Sequence, residues 1–171
     1  NARKAAVAAF GEDVQPIYRF ENADVVLAID ADFLCTDSGA VRYAHDFMAR
    51  RGVESEGRPN RLYVIESAYS PTGAAADHRL RLSARRTQSF IQALSQRLGV
   101  SGAFGDGEVA LGVHAKWHDA VAADLREHRG RSIVLAGEQQ PPSVHALVHV
   151  INATLGNVGE TVVYASPHAG E

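Results

Sequence analysis

Apolar and polar positions along the chain follow two periods, and the chain switches between them several times. Residues 2–10 are Ala-rich and stop before Gly11, which predicts a helix over Ala2–Phe10. Val14–Tyr18 predicts a short strand, and Pro16, having no N–H for a ladder, confines it to a sheet edge. Asp24–Ile29 (DVVLAI) is a near-continuous aliphatic run, the pattern of a parallel strand buried on both faces. Ala31–Gly39 reads as a loop. Ala40–Arg51 reads as a helix with Val41, Ala44, His45, Phe47 and Met48 on one broad face, ended by Gly52. Arg61–Glu66 (RLYVIE) is the second strong strand, followed by a loop over Ser67–Ala76 and a short extended piece at Arg79–Leu82. Thr87–Leu98 predicts a helix with Phe90, Ile91, Leu94 and Leu98 in a stripe, and Lys116–His128 another built on Trp117, Val121 and Leu125. Ser132–Ala136 (SIVLA) is the third strong strand. Pro141-Pro142 ends the next loop, Ser143 is the expected N-cap of a helix over Val144–Leu155, and Gly156 and Gly159 precede a fourth apolar strand at Thr161–Tyr164.

Helices thus separate four apolar strands. That order predicts an α/β fold: a three-layer α/β/α, Rossmann-like domain with a mainly parallel sheet and helices on both faces. The pattern is read as one domain over residues 1–171, with Gly99–Gly112 as a flexible Gly-rich excursion. Ligands of such folds sit beyond the carboxyl ends of the strands. Any local function is therefore expected in the loops Asp30–Gly39, Glu66–His78 and Gly137–Ser143.

Composition narrows the classes. The chain has 171 residues, 46% hydrophobic and 22% charged, which is ordinary for a packed globular domain. A net charge of −3 argues against a nucleic-acid partner. No run approaches the roughly 18 apolar residues of a membrane helix, so direct membrane insertion is not expected. The single cysteine, Cys35, excludes an internal disulfide, a cysteine-based zinc site and a cysteine-ligated cluster. The chain opens Asn1-Ala2-Arg3-Lys4 without Met or a signal-peptide pattern, which reads as a piece of a longer protein.

The loop after the first strong strand carries Asp30, Asp32 and Asp37. Three carboxylates repel a pyrophosphate, and the glycines that let backbone amides approach one are missing. Two readings remain: a hard cation such as Mg²⁺ held by the three, or solvated loop carboxylates with a helix cap from Asp37 or Ser38. Cys35 has His45 and Arg42 as its nearest helpers in sequence, but the loop is acidic, and a buried inert thiol is the expectation. His114 with His118, and His145 with His149, stand four apart, so each pair shares a helix face and could hold zinc. Neither has the Glu of H-E-x-x-H; helix-surface or interface histidines are the default, and no metal ligand is assigned. Asp77 could orient His78 as a base, yet no nucleophile elbow is present and no catalytic residue is assigned. Arg79, Arg81, Arg85 and Arg86 could meet an anion or a partner's acidic face; a solvated helix approach is the plainer reading.

Several segments, in order, resemble a known family. Asn22-Ala23-Asp24-Val25-Val26-Leu27 resembles the "ADVI" strand of molybdopterin oxidoreductases of the dimethyl-sulfoxide-reductase superfamily. Arg61–Glu66 followed by Thr72-Gly73-Ala74-Ala75-Ala76-Asp77-His78-Arg79-Leu80 resembles that family's second strand and its T-x-x-A-x-x-A-D segment. Residues 146–159 (ALVHVINATLGNVG) resemble the helix and Gly-rich turn that close the same domain. The departures fall on the family's pterin-holding turns. Asp30-Ala31-Asp32-Phe33 replaces a Gly-x-Asn-Pro turn, Glu66-Ser67-Ala68 replaces Asp-Pro-Arg, and Ser83-Ala84-Arg85-Arg86-Thr87 replaces Pro-Gly-Thr-Asp.

Within the superfamily the chain is most similar to the molybdopterin-oxidoreductase-like region of the large iron–sulfur subunit of alternative complex III, a quinol:cytochrome c oxidoreductase. Phe20-Glu21-Asn22-Ala23-Asp24, Asp30-Ala31-Asp32-Phe33-Leu34, Val41-Arg42-Tyr43-Ala44, Asn60-Arg61-Leu62-Tyr63 and Gly137-Glu138-Gln139-Gln140-Pro141-Pro142 carry that likeness. The resemblance implies a cofactor-less structural and docking domain of a respiratory electron-transfer complex. It further implies iron–sulfur clusters elsewhere in the parent subunit, and membrane association on the periplasmic side through partner subunits. Arg79, Arg81, Arg85, Arg86 and the histidine helix are the expected subunit contacts. The runner-up implication is an active molybdopterin oxidoreductase, with Asp30, Asp32, Glu66, Asp77, Gly137 and Glu138 as the residues that would line the cofactor. An unrelated Rossmann-like metal- or nucleotide-binding enzyme using Asp30, Asp32 and Asp37 is the third.

Overall fold

The computed structural model describes residues 1–52, 57, 59–100 and 115–166. Twelve helices and strands are ordered α1 (Ala2–Phe10), β1 (Gln15–Tyr18), β2 (Val25–Ile29), α2 (Ala40–Ala49), β3 (Arg61–Glu66), α3 (Pro71–Ala74), β4 (His78–Arg81), α4 (Ala84–Arg97), α5 (Ala115–Glu127), β5 (Ser132–Ala136), α6 (Pro142–Thr154) and β6 (Val162–Ala165). Strands β4-β3-β2-β5 form one all-parallel sheet in that order. The chain is a three-layer, Rossmann-like α/β fold.

Side chains alternate across a strand, so each strand feeds two cores. Val25, Leu27, Ile29, Tyr63, Ile65 and Val134 pack against α4, α5 and α6 through Phe90, Ile91, Leu94, Val121, Leu125 and Leu147. Val26, Ala28, Leu62, Val64, Ile133 and Leu135 face the other way, onto Phe20, Phe33, Tyr43 and Phe47. Phe20 and Phe33 stack at 4.4 Å, and Phe47 meets Phe33 edge-on at 5.4 Å. Burial on both faces explains why β2, β3 and β5 read as unbroken apolar runs.

Two strand assignments differ from the sequence pattern. The Thr161–Tyr164 run does not join the parallel sheet. Asn157 accepts backbone hydrogen bonds from Thr161 and Val162, the chain reverses there, and β6 pairs antiparallel with β1, Gln15 opposite Ala165 and Tyr18 opposite Val162. The fourth strand of the main sheet is instead the polar segment His78–Arg81, an edge strand whose residues are half-buried or exposed. An edge strand needs no apolar run, so periodicity undervalues it. Its first residue stacks on the neighbouring strand, with the His78 and Tyr63 rings 4.7 Å apart.

Helix starts also shift. Helix α6 begins at Pro142, one residue before the expected cap Ser143, because proline suits the first turn, where no N–H partner exists. Gly39, at φ 88°, precedes α2, and neither Asp37 nor Ser38 caps it through a side chain. The segment read as a loop at Ser67–Ala76 contains the single turn α3, whose N-cap Ser70 accepts from Gly73 N–H. Gly99, at φ 84°, follows α4, and Val100 of the Gly99–Gly112 excursion is buried in the core; residues 101–112 lie outside the described residues.

Candidate functional site

The carboxyl ends of β2, β3 and β5 bring the three expected loops together, and their polar groups are largely spent on one another. Asp30 follows β2 with φ 48°, the one non-glycine residue in the left-handed region among the described residues. Its carboxylate accepts from the Ser67 N–H at 2.8 Å and from Gln140 Nε2 at 2.9 Å. Its carbonyl accepts from Gln139 Nε2. One residue thereby ties β2 to the loops after β3 and β5.

Asp32 does the same at the next position. Its Oδ1 accepts from the Thr72 N–H at 3.0 Å and the Thr72 hydroxyl at 2.7 Å. That hydroxyl in turn accepts from Leu34 N–H at 3.1 Å. Glu66, only 4% exposed, accepts from the Ser70 hydroxyl at 2.6 Å and from Arg79 Nε, while the Arg79 guanidinium lies over the Tyr69 ring. Asp77 is not with them. It precedes β4, and parallel pairing puts that position at the amino end of the sheet, where it accepts from Leu62 N–H at 2.7 Å and from Arg51.

The glycines of these loops make room for the protein's own atoms. A Cβ on Gly137 would lie 2.0 Å from the Asp30 carbonyl oxygen, and one on Gly73 would lie 1.9 Å from the Glu66 carboxylate. Glu138 stays exposed at the rim.

Asp30, Asp32 and Asp37 do not bring their carboxylate oxygens within 4.8 Å of one another. Among the described residues, the one set of three His, Cys, Asp or Glu ligand atoms within 4.8 Å of one another is Asp124, Glu127 and His128 on and beside α5. In that set Asp124 already accepts from Arg61 at 2.7 Å and the Tyr63 hydroxyl at 2.9 Å. Asp37 is pushed up to about 6 by burial first, then by the negative charges of Asp32 and Glu138.

An open crevice of about 670 Å³ remains at the carboxyl end of β5, between Leu135 and Ala136, the Asp37–Gly39 turn, β1 and α6. The strand order reverses direction between β2 and β5, so the crevice sits at the topological switch point of the sheet. Arg42, Glu138, His145 and His149 line it.

The histidines are not surface groups. His145 and His149 are each 6% exposed. Burial holds both below the ordinary imidazole range, His149 at about 4. His118 is fully buried with its Nε2 3.1 Å from the Phe90 carbonyl, and burial lowers it too; its partner in the sequence pattern, His114, lies outside the described residues. The imidazoles of α6 face inward, and Val150 and Ala153 are what that helix exposes. Among the arginines, Arg79 is committed to Glu66, while Arg81, Arg85 and Arg86 are exposed. Cys35 is exposed rather than buried: three successive amides, of Cys35, Thr36 and Asp37, donate to the Asp32 carbonyl in a tight turn, and the thiol stands out from it beside Arg42 and His45.

The residues missed from sequence are the amides. Asn152 on α6 grips Val134 on both sides, Oδ1 accepting from its N–H at 3.1 Å and Nδ2 donating to its carbonyl at 2.7 Å. Asn157 donates to Asn152 at 3.0 Å, and Ser132 donates to Asn157 at 3.1 Å. No family model and no curated protein sequence matches the chain.

Proposed function

We propose that this chain is a cofactor-less structural and docking domain of an iron–sulfur, molybdopterin-oxidoreductase-like subunit in a membrane-associated respiratory complex. The ordered resemblance of its segments supports the parent. What supports the missing cofactor is the fate of the amide donors at the strand ends. A dinucleotide site needs free N–H groups and glycine space near its phosphates. Here the Ser67 and Thr72 amides donate to Asp30 and Asp32, and the bare faces of Gly73 and Gly137 meet Glu66 and Asp30. Carboxylates stand where an anion would, and they repel one. The residues present do not fit a pterin dinucleotide at this end of β2 and β3, and no chemical step is assigned to one.

In this reading the exposed Arg81, Arg85 and Arg86 face acidic surfaces of other domains or subunits. No helix among the described residues is long and apolar enough to cross a membrane; the resemblance alone supports attachment through partners on the periplasmic side. The test is elemental and pterin analysis of the native subunit containing this chain. Iron without molybdenum, tungsten or acid-released pterin is expected; near-stoichiometric molybdenum or tungsten with pterin overturns the reading.

A further inference from the structure

His145 and His149 stand one turn apart on α6, both buried and both lining the switch-point crevice. Each ring has one buried nitrogen without a partner. The Tyr164 hydroxyl lies 2.8 Å from Nδ1 of His149. The Nε2 atoms of both rings have no hydrogen-bond partner. A buried polar atom left unmet costs free energy, and such atoms in native structures call for a ligand, an ion or a water.

The chemistry of the pair favours an ion. In the tautomer whose Nδ1–H donates to the Tyr164 hydroxyl, His149 presents a bare lone pair at Nε2, which is the ligand form found in metal centres. Residues at i and i+4 share a helix face, so two such nitrogens can reach one ion. The surrounding charge agrees. Asp37 and Glu138 line the same crevice and repel each other. The nearby arginines are engaged elsewhere, Arg3 with Asp13 and Arg42 with the Tyr18 carbonyl and Asp46. The amino group of Asn1 lines the crevice too and is the positive charge an ion there would meet.

We propose that His145 and His149 bind one divalent transition-metal ion of the zinc type through their Nε2 atoms. Imidazole suits zinc, copper, iron and nickel better than the hard cations. No third His, Cys, Asp or Glu joins the pair in a ligating cluster among the described residues, so the site is open rather than closed. Tyr164 is a positioning residue that holds the His149 ring. The inference does not depend on the proposed parent complex.

The test titrates the full ¹⁵N-labelled chain with Zn²⁺, following affinity by calorimetry and the imidazole nitrogens by long-range ¹H–¹⁵N spectra. Binding of one ion, with the Nε2 signals of His145 and His149 moving together, is expected. His145→Gln or His149→Gln should weaken binding by about 100-fold, and Tyr164→Phe by about 10-fold. Glu127→Gln, in the separate α5 cluster, should leave it unchanged. No binding, a response centred on His128, or full affinity in the double histidine variant overturns the proposal. Should the histidine variants fail to fold, the wild-type spectra decide by themselves.

Discussion

Asp30 holds a backbone conformation that glycine adopts at lower cost. Its carboxylate compensates by accepting from Ser67 N–H and Gln140 Nε2. Charge-assisted bonds of this kind contribute roughly 1.5–3 kcal/mol, and the left-handed conformation costs a non-glycine residue roughly 1–2 kcal/mol. Asp30→Ala keeps the strain and loses the bonds, and should destabilise by about 2–3 kcal/mol in urea denaturation. Asp30→Gly loses the bonds and the strain together, and should recover about 1 kcal/mol of that. Equal midpoints for the two variants would show that the backbone strain contributes nothing. The charges of Asp30 and Asp32 were legible in the sequence; their use was not. Their partners stand 37, 110 and 40 residues away, and only folding brings those to hydrogen-bond distance.

At the scale of elements, β5 ends the parallel sheet among the described residues, and an open edge invites pairing with another chain. Asn152 closes it by taking both backbone groups of Val134, and Asn157, Ser132 and Thr161 extend the buried network below. Asn152→Ala leaves a buried N–H and C=O unmet. It should cost about 2–4 kcal/mol and raise the tendency to associate, read by chemical denaturation and light scattering. A variant as stable and as monodisperse as the parent would remove Asn152 from this role. Hydrophobic periodicity found β2, β3 and β5 because both faces of each are buried. It ranked β6 above β4 because it cannot distinguish a central strand from one half of a separate antiparallel pair.

For the molecule as a whole, burial of three imidazoles couples stability to pH. His149 is held at about 4 against an ordinary value of 6.5, and His118 and His145 are lowered in the same direction. A base depressed in the folded state gives its full stabilisation above 6.5 and loses it as pH falls towards 4. For His149 that loss is on the order of 3 kcal/mol. Asp37 acts oppositely: raised to about 6 from 3.8, it favours the folded state as pH falls through that window. Three histidines outweigh one aspartate, so the denaturation midpoint of the metal-free protein should fall between pH 6.5 and 4. His149→Phe, which keeps a ring against Phe10 and Tyr164, should flatten that slope. An unchanged slope would place the titration elsewhere.

The sequence by itself determined the fold class, the three strands buried on both faces and the loops in which polar groups gather, because burial on two faces and helical spacing are local, repeating patterns. Which charges face each other was decided only by the tertiary structure. It turned Asp30, Asp32 and Glu66 towards amides and hydroxyls of distant loops, sent Asp77 to the opposite end of the sheet, and drew His145 and His149 inside. Hydrogen bonds are short and directional, and their partners here lie far apart along the chain, so no periodicity in the sequence carries them.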